Sequence, residues 1–172
     1  MAIANLEDLF HHTLRDLYYA EKKLVKTLPK LAKKAGNEDL SEAFANHAEE
    51  TEGQVRRLEE IFQIIGKPAR GKTCPAMDGL LEEGNEVVEE AEEEPVLDAG
   101  ILAAAQAVEH YEIARYGAMV EWAKILGHDD AASLLEETLN EEKAADEQLS
   151  SLSEVINSAS NTESEEDQEA AE

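Results

Sequence analysis

The sequence predicts an all-α protein: a bundle of four long helices, with an additional short helix before the third long one. Three observations carry that expectation. Ala, Leu and Glu dominate the composition, aromatics are 5% and Pro occurs only 4 times in 172 residues, which is a helical composition. Apolar residues recur at alternating three- and four-residue steps through four long segments, the spacing of a helix face that packs against its neighbours. The two halves also resemble each other: Glu49-Glu50 followed by Gln54 matches Glu141-Glu142 followed by Asp146, so each half reads as a helical hairpin. At this length one domain is expected, with the bundle over residues 1–159. The remainder, 160–172, is acidic and lacks apolar periodicity, so it is expected to be disordered.

The first long helix is expected from Asn5, a good N-cap, to Ala35, with Gly36 as its stop. Its inward seam is Phe10, Leu14, Leu17, Glu21, Leu24, Leu28 and Leu31, and Glu21 is the one charged member. Pro29 is expected to kink it, because Pro cannot donate a hydrogen bond to Val25. The second long helix starts near Asp39 or Ser41 and ends at Gly66. Its seam is Leu40, Phe44, His47, Thr51, Gln54, Leu58, Ile61 and Ile65, with Glu50 one turn from His47 on the same side. Arg56, Arg57, Glu59 and Glu60 read as its solvated face, and Lys67, Arg70 and Lys72 in the following loop as surface pairs. Cys74 has no CxxC partner and reads as an idle buried thiol.

A short helix then runs from about Ala76 to Glu93, with Met77, Leu80, Leu81, Val87 and Val88 on one face. The third long helix spans about Val96 to Leu126 and stops at Gly127. Its seam is Leu102, Ala105, Glu109, Glu112, Tyr116, Met119, Ala123 and Leu126. The fourth is expected to be capped by Asp129 or Asp130, with a seam of Leu135, Leu139, Glu142, Asp146, Leu149, Leu152 or Ser153, and Ile156.

A net charge of −25 argues against nucleic acid, which needs a basic surface, and against anionic membranes. Such self-repulsion is best tolerated where salt screens it. One cysteine precludes an intramolecular disulfide and suits a reducing compartment. The opening MAIANLEDLF lacks a basic stretch followed by an apolar run, and no segment reads as a membrane span, so a cytoplasmic location is expected.

Each long helix loses its apolar seam near mid-length and offers acids there instead. The set is Glu21, Glu50, Glu109, Glu112, Glu142 and Asp146, with His47 beside them. Glu is almost never buried unpaired, and converging buried acids cost several kcal/mol per ion. Two metal ions offset that repulsion, and carboxylates with one imidazole suit iron or manganese. A thiolate-rich zinc site is excluded by the single cysteine. The ferritin-like di-iron arrangement takes one Glu from each of two helices and Glu-x-x-His from each of the other two. This chain departs from it: three residues after Glu50 stands Gly53, and three after Glu142 stands Ala145. Asp146 can replace one missing His, and His47 or Glu112 the other. Tyr18, Tyr111 and Tyr116 fall near the same depth, as hydrogen-bond donors to carboxylates or redox-active side chains, though packing is the commoner role.

The segments LEDLFHHTLRDLYYAEKKLVKTLPKLA, HAEETEGQVRRLEEIF, CPAMDGLLEEG, QAVEHYEIARYG and TLNEEKAADEQL resemble the YciE/YciF family of ferritin-like proteins over about residues 3–156. The resemblance implies a ferritin-like bundle with an additional helix, a di-metal site, a homodimer and a role in stress responses. It carries the metal role to Glu21, Glu50, Glu109, Glu112, Glu142 and Asp146, and more weakly to His47. The expected function is thus binding of two iron ions, or manganese or a mixed pair, with oxidase, ferroxidase or peroxidase chemistry on O₂ or peroxide. Two alternatives stand beside it: a metal-free helical interaction protein, which needs the seam acids to pair with Lys or Arg, and an iron-storage assembly. Arg115 and Lys143 are the nearest bases, and both fall off the seams.

Overall fold

The computed structural model describes residues 3–161. Five helices follow in order: α1 (Leu6–Lys34), α2 (Glu38–Ile64), α3 (Pro75–Glu90), α4 (Glu94–Leu126) and α5 (Asp129–Ala159). The expected acidic tail lies, from residue 162 onward, outside the described residues. Contacts between α1 and α2, α2 and α5, α5 and α4, and α4 and α1 close a ring of four, while α3 lies outside it against α4. This is the ferritin-like bundle with its additional helix.

Local chemistry sets the helix ends. Asn5 caps α1, its side chain accepting the Asp8 N–H at 2.8 Å. The second helix begins earlier than its Asp39 or Ser41 signals suggested, because Asn37 is the cap and accepts the Leu40 N–H at 3.0 Å. On α5 the cap is His128, whose carbonyl accepts the Ala132 N–H, and Asp129 and Asp130 instead occupy the first turn. Carboxylates there still complement the exposed N–H groups of the helix start. Gly127 stops α4 with a φ of 75°, a conformation that favours glycine. Pro29 sits inside α1, which continues past it to Lys34.

The core divides into two apolar halves. One holds Phe10, Leu14, Leu17, Leu58, Ile61, Tyr116, Met119 and Leu135. The other holds Leu24, Leu28, Leu40, Phe44, Ile101, Leu102 and Leu149, with Cys74 and Met77 from the base of α3. Between them lies a buried polar layer of Glu21, His47, Thr51, Gln54, Glu109, Glu112, Thr138 and Glu142. The seams read from sequence for α1, α2 and α4 are buried over nearly their whole length. On α5 the inward positions are Thr138 and Ala145, one residue before the expected Leu139 and Asp146. Leu135, Glu142 and Leu149 are common to both seams, so the difference is only in which flank of that line packs inward.

Asp98 of α4, itself buried, fastens the α1–α2 turn. Its carboxylate accepts the Gly36 N–H at 2.9 Å and the Asn37 N–H at 2.8 Å. Two charge-assisted bonds in a half-buried place are a substantial share of a small protein's stability. Asp98→Ala is therefore expected to lower unfolding stability by about 2–3 kcal/mol, read from urea denaturation midpoints.

Candidate metal centre

The polar layer is built by four helices, each giving residues on its inward face. Glu21 comes from α1, His47 from α2, Glu109 and Glu112 from α4, and Glu142 from α5. Glu21, Glu112 and Glu142 have no exposed surface, and His47 and Glu109 have almost none. One donor atom from each of His47, Glu109, Glu112 and Glu142 lies within 4.8 Å of the others, a spread that one ion can span. Glu21 lies against Glu112 and receives a short hydrogen bond from the Tyr116 hydroxyl.

His47 is the hub. Its Nε2 is 3.3 Å from Glu109 Oε1 and 3.6 Å from Glu142 Oε2. Its Nδ1 faces Glu50 Oε2 at 3.4 Å. Thr51 donates to the His47 carbonyl at 2.8 Å.

The acids are not otherwise satisfied. Six carboxylate oxygens of these glutamates, Oε2 of Glu21, Oε2 of Glu109, and both oxygens of Glu112 and Glu142, are buried without a hydrogen-bond partner, and so is Oδ1 of Asp146 beside the layer. Lys and Arg do not pair with these acids among the described residues. Arg57 reaches between α2 and α5, but it bonds Thr138 Oγ1 at 3.0 Å, Glu137 at 2.8 Å and Glu141. The pairing that a metal-free seam requires is thus not seen among the described residues. Arg57 was expected on the solvated face and is instead largely covered; its position three residues after Gln54 was the available signal.

Two expected ligands stand apart from the cluster. Glu50 is half exposed and reaches it only through His47 Nδ1. Asp146 points beside the seam, paired with His110 at 3.2 Å. Ala145 occupies the inward position, and on α2 it is Gln54, not Gly53, that is fully buried. Of the three tyrosines, Tyr116 alone bonds a glutamate of the layer; Tyr18 donates to Glu59 at 2.7 Å, and Tyr111 meets Cys74 Sγ at 3.0 Å.

Burial pushes the Glu21 carboxyl up to about 7, against the opposing pull of the Tyr116 hydrogen bond and the His47 charge. Glu112 is raised well above the carboxylate range by burial and then by the charges of Glu21, Glu142 and Glu109. Glu142 is raised by burial and by Glu21. For His47, burial opposes the cation, but hydrogen bonds to Glu109 and Glu50 and the charges of Glu109 and Glu142 outweigh it, so its pKa rises. The Tyr116 hydroxyl, raised by burial and then by Glu21, stays a donor.

A family model for a domain of unknown function, DUF892, matches residues 5–162. This chain belongs to the DUF892 family. It is 48% identical to the Escherichia coli protein YciF over 153 residues, covering 88% of this chain and 92% of that one. The crystal structure of the E. coli stress protein YciF superposes with a TM-score of 0.86 at 46% identity, covering 93% of this chain and 100% of that one. YcfI from Rhodopseudomonas palustris superposes with a TM-score of 0.84 at 51% identity, covering 86% of this chain and 94% of that one. This DUF892 chain has no helix long and apolar enough to cross a membrane among its described residues.

The raised acids fix the sign of a pH effect on the metal-free protein. A carboxyl whose folded pKa lies above its unfolded value favours the folded state at low pH, and that contribution is lost as pH rises through the folded pKa. For Glu21 the window runs from 4.5 to about 7, and Glu112 and Glu142 extend it upward. With a chelator present, Tm is expected to fall across this range. In Glu112→Gln the fall is expected to be shallower, and Tm at neutral pH higher than in the parent, by calorimetry at matched ionic strength.

Proposed function

We propose that this chain binds two metal ions, iron or manganese, at mid-bundle, and uses them in redox chemistry with dioxygen or peroxide as part of a stress response. The observation that carries this reading is the meeting of one donor atom from each of His47, Glu109, Glu112 and Glu142 within 4.8 Å, in a layer whose buried carboxylate oxygens largely lack partners. Buried acids without bases ask for a multivalent cation, and hard oxygen donors with a single nitrogen fit iron or manganese. The stress-response part rests on the similarity to E. coli YciF, which is named a stress protein.

In this reading Glu21, His47, Glu109, Glu112 and Glu142 hold the ions. Glu112 supplies donors from α4 where the ferritin-like pattern takes a His from α2. Glu50 accepts from His47 Nδ1–H, which leaves Nε2 free to face the metal; this is how ligand imidazoles are commonly oriented. Asp146 sits at the edge of the layer with His110, within reach of α4. Bound there, the ions would supply one-electron exchange with an oxidant. The chain's own part is to hold the ligands in a water-poor layer and to keep Tyr116 protonated against Glu21.

Metal analysis of the purified protein tests this. The parent is expected to carry two iron or manganese ions per chain, and Glu142→Gln to lose them while keeping its helical spectrum. Glu50→Gln is expected to keep the ions but to bind them about 10–100-fold more weakly. A parent free of metal after growth and dialysis with iron and with manganese would falsify the reading.

A further inference from the structure

A cavity of about 40 Å³ lies where α1, α3 and α4 meet. Its walls are aliphatic, from Leu24, Leu28, Leu81, Ile101 and Val108, and the metal-layer residue Glu109 forms part of its lining. The space exists because α3 lies over the groove between α1 and α4 and meets α4 through small residues. A Cβ added at Gly84 would come within 3.3 Å of the Ala104 Cβ. Near its N-terminus α3 is fastened to α1 through Asp78, which accepts from Tyr19 at 2.8 Å and pairs with Lys23 at 3.2 Å. Farther along, the two helices are separated by a wide cleft with lysines of α1 on one wall and acids of α3 on the other. Cleft and cavity share Thr27, Leu31, Leu81 and Asn85, so the cavity opens to solvent through the cleft.

Size and lining select the occupant. Roughly 10–15 Å³ of such space holds one water-sized molecule, so the cavity takes a few small molecules at most. Water in such a place needs about 2–4 polar partners. The Thr27 hydroxyl is already committed to the Lys23 carbonyl at 3.1 Å; Asn85 at the mouth and Glu109 at the inner end are the other polar groups, and the walls between offer CH groups. A polar oxidant or a cation has a better approach elsewhere: a second cavity of about 60 Å³, between α2 and α5, is lined by His47, Glu50 and Gln148. We propose that the cavity under α3 is a binding site for a small apolar gas, dioxygen, held beside Glu109. Its role as an oxidant supply rests on the metal reading above; the binding itself does not.

The test uses dissolved oxygen as a paramagnetic probe, on the full chain kept metal-free with a chelator. In methyl NMR under oxygen pressure, Leu28 and Val108 are expected to relax faster than similarly buried methyls at the other end of the core, such as Val120 and Leu58. Leu81→Trp, which fills the cavity from α3, is expected to abolish the excess at Leu28 and Val108. Uniform relaxation across the parent's core overturns the site, and that measurement decides alone if the Trp variant does not fold. In iron-loaded protein, Leu81→Trp is expected to slow oxidation by dioxygen and leave oxidation by hydrogen peroxide unchanged. Equal slowing, or none, overturns the supply role. Failure to load iron overturns the proposed centre, while the NMR result still decides the cavity.

Discussion

The structure depends on one constraint: a layer of ionisable side chains must sit in the middle of an otherwise apolar bundle. Burying a carboxylate costs several kcal/mol unless something positive meets it, and here four glutamates share a single imidazole. Two apolar clusters, one on each side of the layer, supply the burial that makes this tolerable. The remaining imbalance is carried by protons, which is why Glu21, Glu112 and Glu142 all hold theirs more tightly than exposed glutamates do. A layer of this kind is an unusual thing for a helix to carry if stability were its only purpose, since aliphatic side chains at the same positions would pack without cost.

The surrounding polar groups divide the work. Tyr116 meets Glu21, Glu50 meets the outer nitrogen of His47, and Arg57 takes Glu137 and Glu141. The last arrangement matters because Glu141 and Glu142 are adjacent. Arg57 and Gln54 keep Glu141 toward α2, with Gln54 donating to it at 3.2 Å, while Glu142 turns fully inward. Neighbouring acids thus end in opposite electrostatic surroundings, one paired with a guanidinium and one in the layer.

Much of this was legible in the sequence. The seams of α1, α2 and α4 give the inward residues directly, including Glu21, His47, Glu109 and Glu112, because every interruption of those seams is itself polar. The fourth long helix was harder. Its seam can pass through Leu139 and Asp146 or through Thr138 and Ala145, and hydrophobicity favours the first while packing takes the second. Glu50 illustrates another limit: it lies one turn from an inward His, yet one turn covers only about 300° for three residues, enough to carry it to the edge of the face. Arg57 and Asp98 were missed for a related reason. Spacing from Gln54 could place Arg57 near the inner face, but it names no partner for either residue, since those partners lie more than sixty positions away.

The hydrogen bonds of Asp98 have a bearing beyond stability. They pin α4 to the turn between α1 and α2 at one point along its length. Glu109 lies eleven residues farther on, which is roughly 16 Å of helix. That fixed stretch works as a gauge: it sets α4's register so that Glu109 and Glu112 arrive at the depth of Glu21 and His47. Adding or removing a single residue between Asp98 and Glu109 would turn both acids by about 100° away from the bundle axis while leaving the helix itself intact. The segment between them can vary in side chain, but its length is fixed by the layer it serves.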